Sequence, residues 1–416
     1  MSMKRTMIAL FTLLVAAPAI ASGLFTPYSL SSAAVLPKGV KRLGYSGFTT
    51  EISNEYGNRG GIEVLGADFN KKLTVGELIK ATPAGKDRGI FKGGLEASGL
   101  GMGETAGQAN GWIDARVTTS VPTLAYGVSD RWTLAVGIPI IYSNMHPATG
   151  WTVDPQFEAK LNKLATNGYR NPIGKYQADL QNVIQTELKN YGYDPLVDQS
   201  QTGIGDVVIA GKYQALKNRT LTVAISPRVS LPTGRASDVN KVVDLAPGDG
   251  HPNFGVAAIS DYWIRPRLIW TSALSYTYQT PIVRAKRIPL EASNWISPDV
   301  DNSAHQKAGD ILGTSTGLRY EVLPAVTLGA GYSFQYKAPD KYTGNHFDPT
   351  RYNYLSVETE QTMHALDIGV QYSTVPLFRA HKFEIPLDIG IDYATVLVGR
   401  NTKKIELAAI ELASYF

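Results

Sequence analysis

Apolar and polar residues alternate with period two along much of the chain. In Leu221–Leu231 the odd positions are nearly all apolar and the even ones small or polar, and Val326–Lys337, His364–Ser373 and Phe383–Tyr393 repeat the pattern. Successive side chains of an extended strand point to opposite faces, so each run predicts a strand with one apolar face. Strands of soluble sheets average five or six residues. These runs are about twice as long and carry charges such as Asp388 and Asp392 on one face. A wall between lipid and a wet lumen requires that combination.

Twelve such strands are predicted, at 40–52, 111–127, 131–143, 204–216, 219–232, 252–263, 267–280, 309–322, 325–337, 361–374, 382–397 and 404–416. The connections between them alternate. Tight ones at Ser129-Asp130, Lys217-Asn218, Ile264–Pro266, Leu323-Pro324 and Val375–His381 interleave with connections at 53–110, 144–203, 233–251, 281–308, 338–360 and 398–403. Short periplasmic turns, longer outside loops and an even strand count define the outer-membrane barrel. Aromatic residues gather at two levels. Trp132, Trp263, Trp270, Tyr213, Tyr320, Tyr372 and Phe383 lie near the tight turns, and Tyr142, Phe254, Tyr276, Tyr278, Phe334, Tyr336 and Tyr393 near the opposite strand ends. Amphipathic rings favour the two membrane interfaces. The predicted fold is therefore all-β: a transmembrane antiparallel β-barrel of about twelve strands, occupying 39–416, with a helical extracellular insert at 151–200.

Composition sharpens the picture at a few points. Lys4 and Arg5, the apolar run Met7–Ala17 and the small-residue site Pro18–Ala21 read as a secretory signal peptide over 1–21. Residues 22–38 then form a periplasmic or plug segment. The chain has no cysteine, which excludes disulfides and thiolate chemistry. A formal charge of +4 argues against nucleic acid as a partner. After the leader no apolar run is long enough for a spanning helix. The expected partners are outer-membrane lipid, a small apolar solute, and the barrel-insertion machinery, met through the terminal strand Ile410–Phe416 with its final aromatic residue.

Under this register Arg116, Asp206, Lys212, Arg228, Asp367, Gln371, Glu384, Asp388 and Asp392 point inward, either lining a selective lumen or pairing as filling. Pro139, Pro227 and Pro386 fall inside strands, near or on the lumen face, and each should mark a kink or bulge, because proline cannot donate to the ladder. Helices are expected at Asp154–Ala165 and Lys175–Lys189. The glycine-rich stretch 85–111 reads as a loop or plug, and it matches no phosphate-binding fingerprint. Five of the six histidines fall in loops or turns; His364 faces lipid near the outer end of strand ten. An outer-membrane phospholipase would need a serine two residues on, where Leu366 stands, and no G-x-S-x-G elbow occurs. The acidic stretches Asp299–Asn302 and Asp244–Asp249 lack the spacing of a calcium loop. No catalytic residue, cofactor or metal is assigned, and the chain is not read as an enzyme.

Val121–Trp132 (VPTLAYGVSDRW), Gly203–Val207, Ala210–Tyr213, Ser230–Gly234 and Leu36–Val40 resemble a family of outer-membrane barrels labelled from the meta-cleavage pathway of phenol degradation. More distantly, Gly23–Phe25 and Ser31–Ala34 resemble the plug-forming N-terminus of long-chain fatty-acid channels. The resemblance implies a transporter of aromatic or other apolar compounds. The function expected is an outer-membrane channel for passive uptake of such compounds. The alternatives are a structural or surface-contact barrel with a closed lumen, or a lipid-modifying enzyme built on His364.

Overall fold

The computed structural model describes residues 32–67, 70–76, 79, 86–97, 99–166, 185–186, 188–292 and 296–416. The expected leader, 1–21, and most of the second expected helix, 175–189, lie outside these residues.

Twelve antiparallel strands form the wall. In chain order they are strand 1, Lys41–Ile52; strand 2, Thr105–Ser129; and strand 3, Trp132–Gly137 continued by Ile140–Val153. Strand 4 is Gln199–Ile204 continued by Val207–Lys217; strands 5 to 8 are Leu221–Leu231, Asn253–Arg265, Leu268–Gln279 and Ile311–Leu323. Strands 9 to 12 are Val326–Lys337, Gln361–Ser373, Leu387–Arg400 and Glu406–Tyr415. Strand 12 pairs with strand 1 from Arg42↔Tyr415 to Glu51↔Glu406, which closes the cylinder. Closure leaves no strand edge to hydrocarbon, where an unpaired backbone group would cost several kcal/mol.

The outward face carries the apolar belt. On strand 3 it reads Trp132, Leu134, Val136, Ile138, Ile140 and Tyr142, with Asn144 and His146 beyond. Ten residues from one aromatic to the other, tilted by 40°, span about 26 Å, the height of a bilayer core. Both aromatic levels are present: Trp132, Trp270, Tyr320 and Tyr372 are exposed at one, and Tyr142, Phe254, Tyr276 and Tyr393 at the other. Trp263 differs, because it shares the inward parity of Asp261.

Strands 2 to 4 run farther outward than the alternation predicted, and this extension reassigns Arg116. The even positions Leu124, Tyr126 and Val128 are exposed while Ile113, Ala115 and Val117 are buried, so Arg116 points out of the barrel, not into it. It pairs there with Glu51, both side chains exposed. Asp114 and the His146–Asp198 pair share this polar zone above the belt. A charge on the outer face is tolerated because the strand has already left the hydrocarbon.

Of the three prolines, Pro227 and Pro386 sit differently from expectation. Pro139 is buried at the break in strand 3, where its carbonyl accepts from Gly205 N at 2.8 Å. Pro227 lies in strand 5 but faces outward with Ile225. Ser226 Oγ donates to Gly211 O at 2.8 Å beside it, in a ladder that Pro227 cannot serve. Pro386 is outside the sheet. Strand 11 begins at Leu387, and the connection before it holds a short helix, Val375–Arg379. Glu384 is therefore an exposed turn residue at the periplasmic end and not part of the lumen.

The outer loops carry their own structure. Lys86–Ala97 is a helix, where glycine content had suggested a loop, and 105–111 belongs to strand 2. Helix Pro155–Thr166 forms close to its predicted span, with the Asp154 carboxylate capping the amides of Gln156 and Phe157. Leu95 packs with Val75, Leu100, Phe157 and Leu161, so the two helices bury a common apolar face. That contact between distant loops stabilises the first helix despite Gly89 and Gly93.

Candidate functional site

The barrel interior is apolar at the outer ends of strands 1 to 3 and 10 to 12, and polar toward the periplasm and at the outer ends of strands 5 to 7, where Ser230, Asn253, Thr277 and Gln279 are buried. At the outer end the inward residues Ile52, Ile113, Val117, Ile141, Met145, Met363, Val396 and Leu407 form one buried cluster. These come from strands 1, 2, 3, 10, 11 and 12. Loop residues Leu188, Leu196, Val243, Leu245 and Ile296 fold inward and complete the cluster.

Two arginines hold these loops in place. Arg235 binds both carboxylate oxygens of Asp244 at 2.6 and 2.8 Å and Gln201 Oε1 at 2.7 Å. Burial pushes the Asp244 carboxyl up, but Arg235, the Asp238 amide and the charge of Lys241 together more than offset this and leave it below its ordinary value. Arg287 donates to the carbonyls of Val239, Tyr191, Ser297 and Gly192 and to Asn240 Oδ1, and its guanidinium lies 3.8 Å from the Tyr193 ring centroid.

Asp206 sits at the break in strand 4 and accepts from Gly234 N at 2.9 Å and Asp249 N at 2.8 Å, tying loop 232–252 to the wall. Burial, and then the charge of Asp206, push the neighbouring Asp249 carboxyl up to about 7. The acidic loops have protein donors: Asp299 accepts from Arg351 at 2.7 Å, and Asp301 from Ser303 and Tyr352. Among the described residues no group of three or more acids and histidines gathers as a metal would require.

The polar part of the interior contains most of the remaining predicted lumen residues. Asp261, on strand 6, accepts from Arg319 at 2.8 Å, Thr271 Oγ1 at 2.8 Å, Ser32 Oγ at 2.7 Å and Ala33 N at 2.9 Å. Lys212 Nζ donates to Ser32 O at 2.8 Å, and Thr133 Oγ1 accepts from Leu36 N at 2.8 Å. Residues 32–36 thus run along the inner wall at the periplasmic end. Ala33 is buried against Ala224, Ala257, Ile259 and Ala273. Nearer the outer ends of strands 5 to 7, Arg228 lies across Gly255, where a Cβ would come within 2.6 Å of its Nε, and reaches Thr277 Oγ1 at 3.1 Å. On the opposite wall Asp367 and Asp392 are buried and inward, Asp388 meets Tyr415 OH, and Gln371 is inward but open to water.

The register therefore brings Lys212, Arg228, Asp367, Gln371, Asp388 and Asp392 onto the inner wall, with Asp206 at its outer end; it leaves Arg116 and Glu384 outside. Sequence reasoning missed Asp261 and Arg319, although both lie at odd positions of strands whose odd face is inward, and that parity was a usable signal. It also missed Arg287, which the loop sequence does not distinguish. His364 sits in the outer aromatic level, its Nδ1 2.5 Å from Tyr332 OH and its ring 4.8 Å from that of Phe334.

This closed wall, belted by apolar and aromatic residues, is that of an outer-membrane barrel. The chain belongs to the family described as "Putative MetA-pathway of phenol degradation", which matches residues 162–383. The motifs at 203–213 and 230–234 fall within the match, whereas 36–40 and 121–132 precede it. An outer membrane channel from Pseudomonas putida F1 has a similar structure, with a TM-score of 0.53 at 10% identity, covering 93% of this chain and 98% of that one. A FadL homologue of Pseudomonas aeruginosa gives a TM-score of 0.33 at 10% identity over 92% of this chain and 91% of that one. The toluene transporter of Ralstonia pickettii gives 0.32 at 11% identity over 91% and 90%. Only the first likeness supports the fold. No functionally curated protein matches the chain by sequence.

Proposed function

We propose that the barrel mediates passive uptake of small apolar or aromatic compounds across the outer membrane. The observation that carries this reading is the apolar cluster in the outer half of the lumen. A water-filled porin has a polar interior, whereas here the inward face of six strands is apolar at the end a solute meets first. Family membership supports the same reading, because its label refers to breakdown of an aromatic compound. The similar Pseudomonas putida structure is a channel. Passage of this kind involves no chemical step, and the terminal strand that closes the wall would be the segment offered to the insertion machinery. Vesicles holding the pure protein should take up small aromatics faster than empty ones. Equal rates across a broad panel would remove the proposal.

A second reading, a surface-contact barrel with a closed lumen, is favoured by the inward-folded loops at one end and residues 32–36 at the other. It predicts no uptake and no single-channel current in a planar bilayer.

A further inference from the structure

The short-turn end of the cylinder carries a ring of positive charge. Lys217 and Arg219 stand between strands 4 and 5, Arg265 and Arg267 between strands 6 and 7, and Arg379 and Lys382 between strands 10 and 11. All six residues are exposed, and among the described residues none of them forms an ion pair. Glu384 is the single acid in the segments 217–220, 265–267 and 374–386. The other connections at this end change little. Asp130 and Arg131 balance between strands 2 and 3, Leu323–Ala325 is uncharged with Glu321 just before it, and Lys38 and Lys41 stand at the entry to strand 1. Sequence neighbours are neighbours in the wall, and strand 12 closes on strand 1, so the charge is spread around the circumference and not gathered on one side. In each of the three cationic connections a large apolar residue is exposed next to a cation: Leu216 beside Lys217, Ile264 beside Arg265, Phe378 beside Arg379 and Phe383 beside Lys382.

An exposed apolar residue with a cation next to it suits the edge of a bilayer. The apolar side chain enters the hydrocarbon boundary, and the stem of the Lys or Arg runs along it while the charge stays among the headgroups. Anionic lipid adds an attraction that grows with the number of cations near the surface. The ring also favours lipid over a soluble acidic protein, which would cover one contiguous patch of about 800 Å². We propose that this end of the barrel is a docking surface for anionic phospholipid, whose headgroup phosphates in the periplasmic leaflet are held by the six cations. The inference does not depend on the uptake reading, because an open barrel and a closed one would present the same rim.

The test uses the full-length protein in bilayers that mix phosphatidylcholine with phosphatidylglycerol, with bromine on the acyl chains of one lipid or the other. Trp132 and Trp270 are exposed at the same end, so bromine quenching of tryptophan fluorescence reports which lipid touches the wall there. Wild type should favour phosphatidylglycerol about fivefold at low salt, and the preference should fall toward equality in about 0.5 M salt. The variant Lys217→Gln, Arg219→Gln, Arg265→Gln, Arg267→Gln, Arg379→Gln, Lys382→Gln changes exposed residues only, so it should fold and show a ratio near one. Exchanging Lys for Arg and Arg for Lys at the same positions should restore the preference. No preference in the wild type, a preference indifferent to salt, or one that the glutamine variant retains overturns the proposal. The salt series needs no variant, so it decides the matter even if the glutamine variant fails to fold. Capture of poly-L-glutamate by the detergent-solubilised wild type and not by the variant, with no lipid preference, also overturns it and assigns the rim to a soluble acidic partner.

Discussion

Arg287 holds three loop segments with one side chain. All five of its hydrogen bonds go to groups from 191–192, 239–240 and 297. Hydrogen bonds to a charged donor contribute about 1.5–3 kcal/mol each, though they do not add fully. Arg287→Gln should therefore lower the free energy of opening these loops by about 3 kcal/mol. Hydrogen exchange should show faster amides in 188–193 and 239–245, with the wall strands unchanged; uniform loss of protection would contradict a local clamp. Asp249 makes the same region sensitive to pH. Its folded value, about 7, lies above the ordinary carboxylate value, so the folded loop favours the protonated form. Its contribution to stability is full below the unfolded value near 3.8 and is lost as pH rises through about 7. The groups around it are Asp206, Asn253 and Arg284. Protection factors of amides 244–250 should fall as pH rises from about 4 to about 7, and Asp249→Asn should flatten that profile. Neither role was legible in the sequence, because a loop arginine or aspartate becomes specific only through partners far along the chain.

At the scale of elements, the alternation of side chains identified nearly every strand, since period two survives wherever one face meets lipid. It failed where lipid ends. Above the belt strands 2 to 4 meet water or loops, and they were read short there; Arg116 lies inside the predicted strand, and its even parity, shared with Leu124 and Tyr126, was the signal that it faces out. The helix Lys86–Ala97 was hidden by its glycines, and its place in a cluster with Val75, Leu100, Phe157 and Leu161, distant in sequence, accounts for it. The Arg116–Glu51 pair is exposed, and exposed pairs contribute about 0–1 kcal/mol. Arg116→Ala should accordingly change thermal stability little and leave any ion selectivity of the barrel unaltered. A shift in reversal potential would return that residue to the lumen. The N-terminal segment is different, because Asp261 binds it directly while also meeting Arg319. Asp261→Asn removes the charge with little change of shape. The Ala33 amide should then exchange at least about tenfold faster; unchanged exchange would show that apolar packing alone seats the segment.

For the molecule as a whole, two gradients set what can pass. The outside of the cylinder is apolar at mid-height and polar above. Inside, the mouth is apolar along strands 1 to 3 and 10 to 12, and the base, crossed by residues 32–36, is polar. The fold followed from strand parity, turn parity and aromatic levels together, three signals with separate physical origins. The division of the lumen did not, because the loops that complete the apolar cluster carry no periodicity. The central claim is that this mouth admits small aromatic compounds in preference to hydrophilic solutes of similar size. The direct measurement is uptake by vesicles with lipopolysaccharide in the outer leaflet, with and without the protein, for matched panels of monoaromatics and pentoses. The account predicts that the protein accelerates entry of the aromatics and leaves the pentoses near the empty-vesicle rate. Equal acceleration of both panels, or of neither, would contradict it.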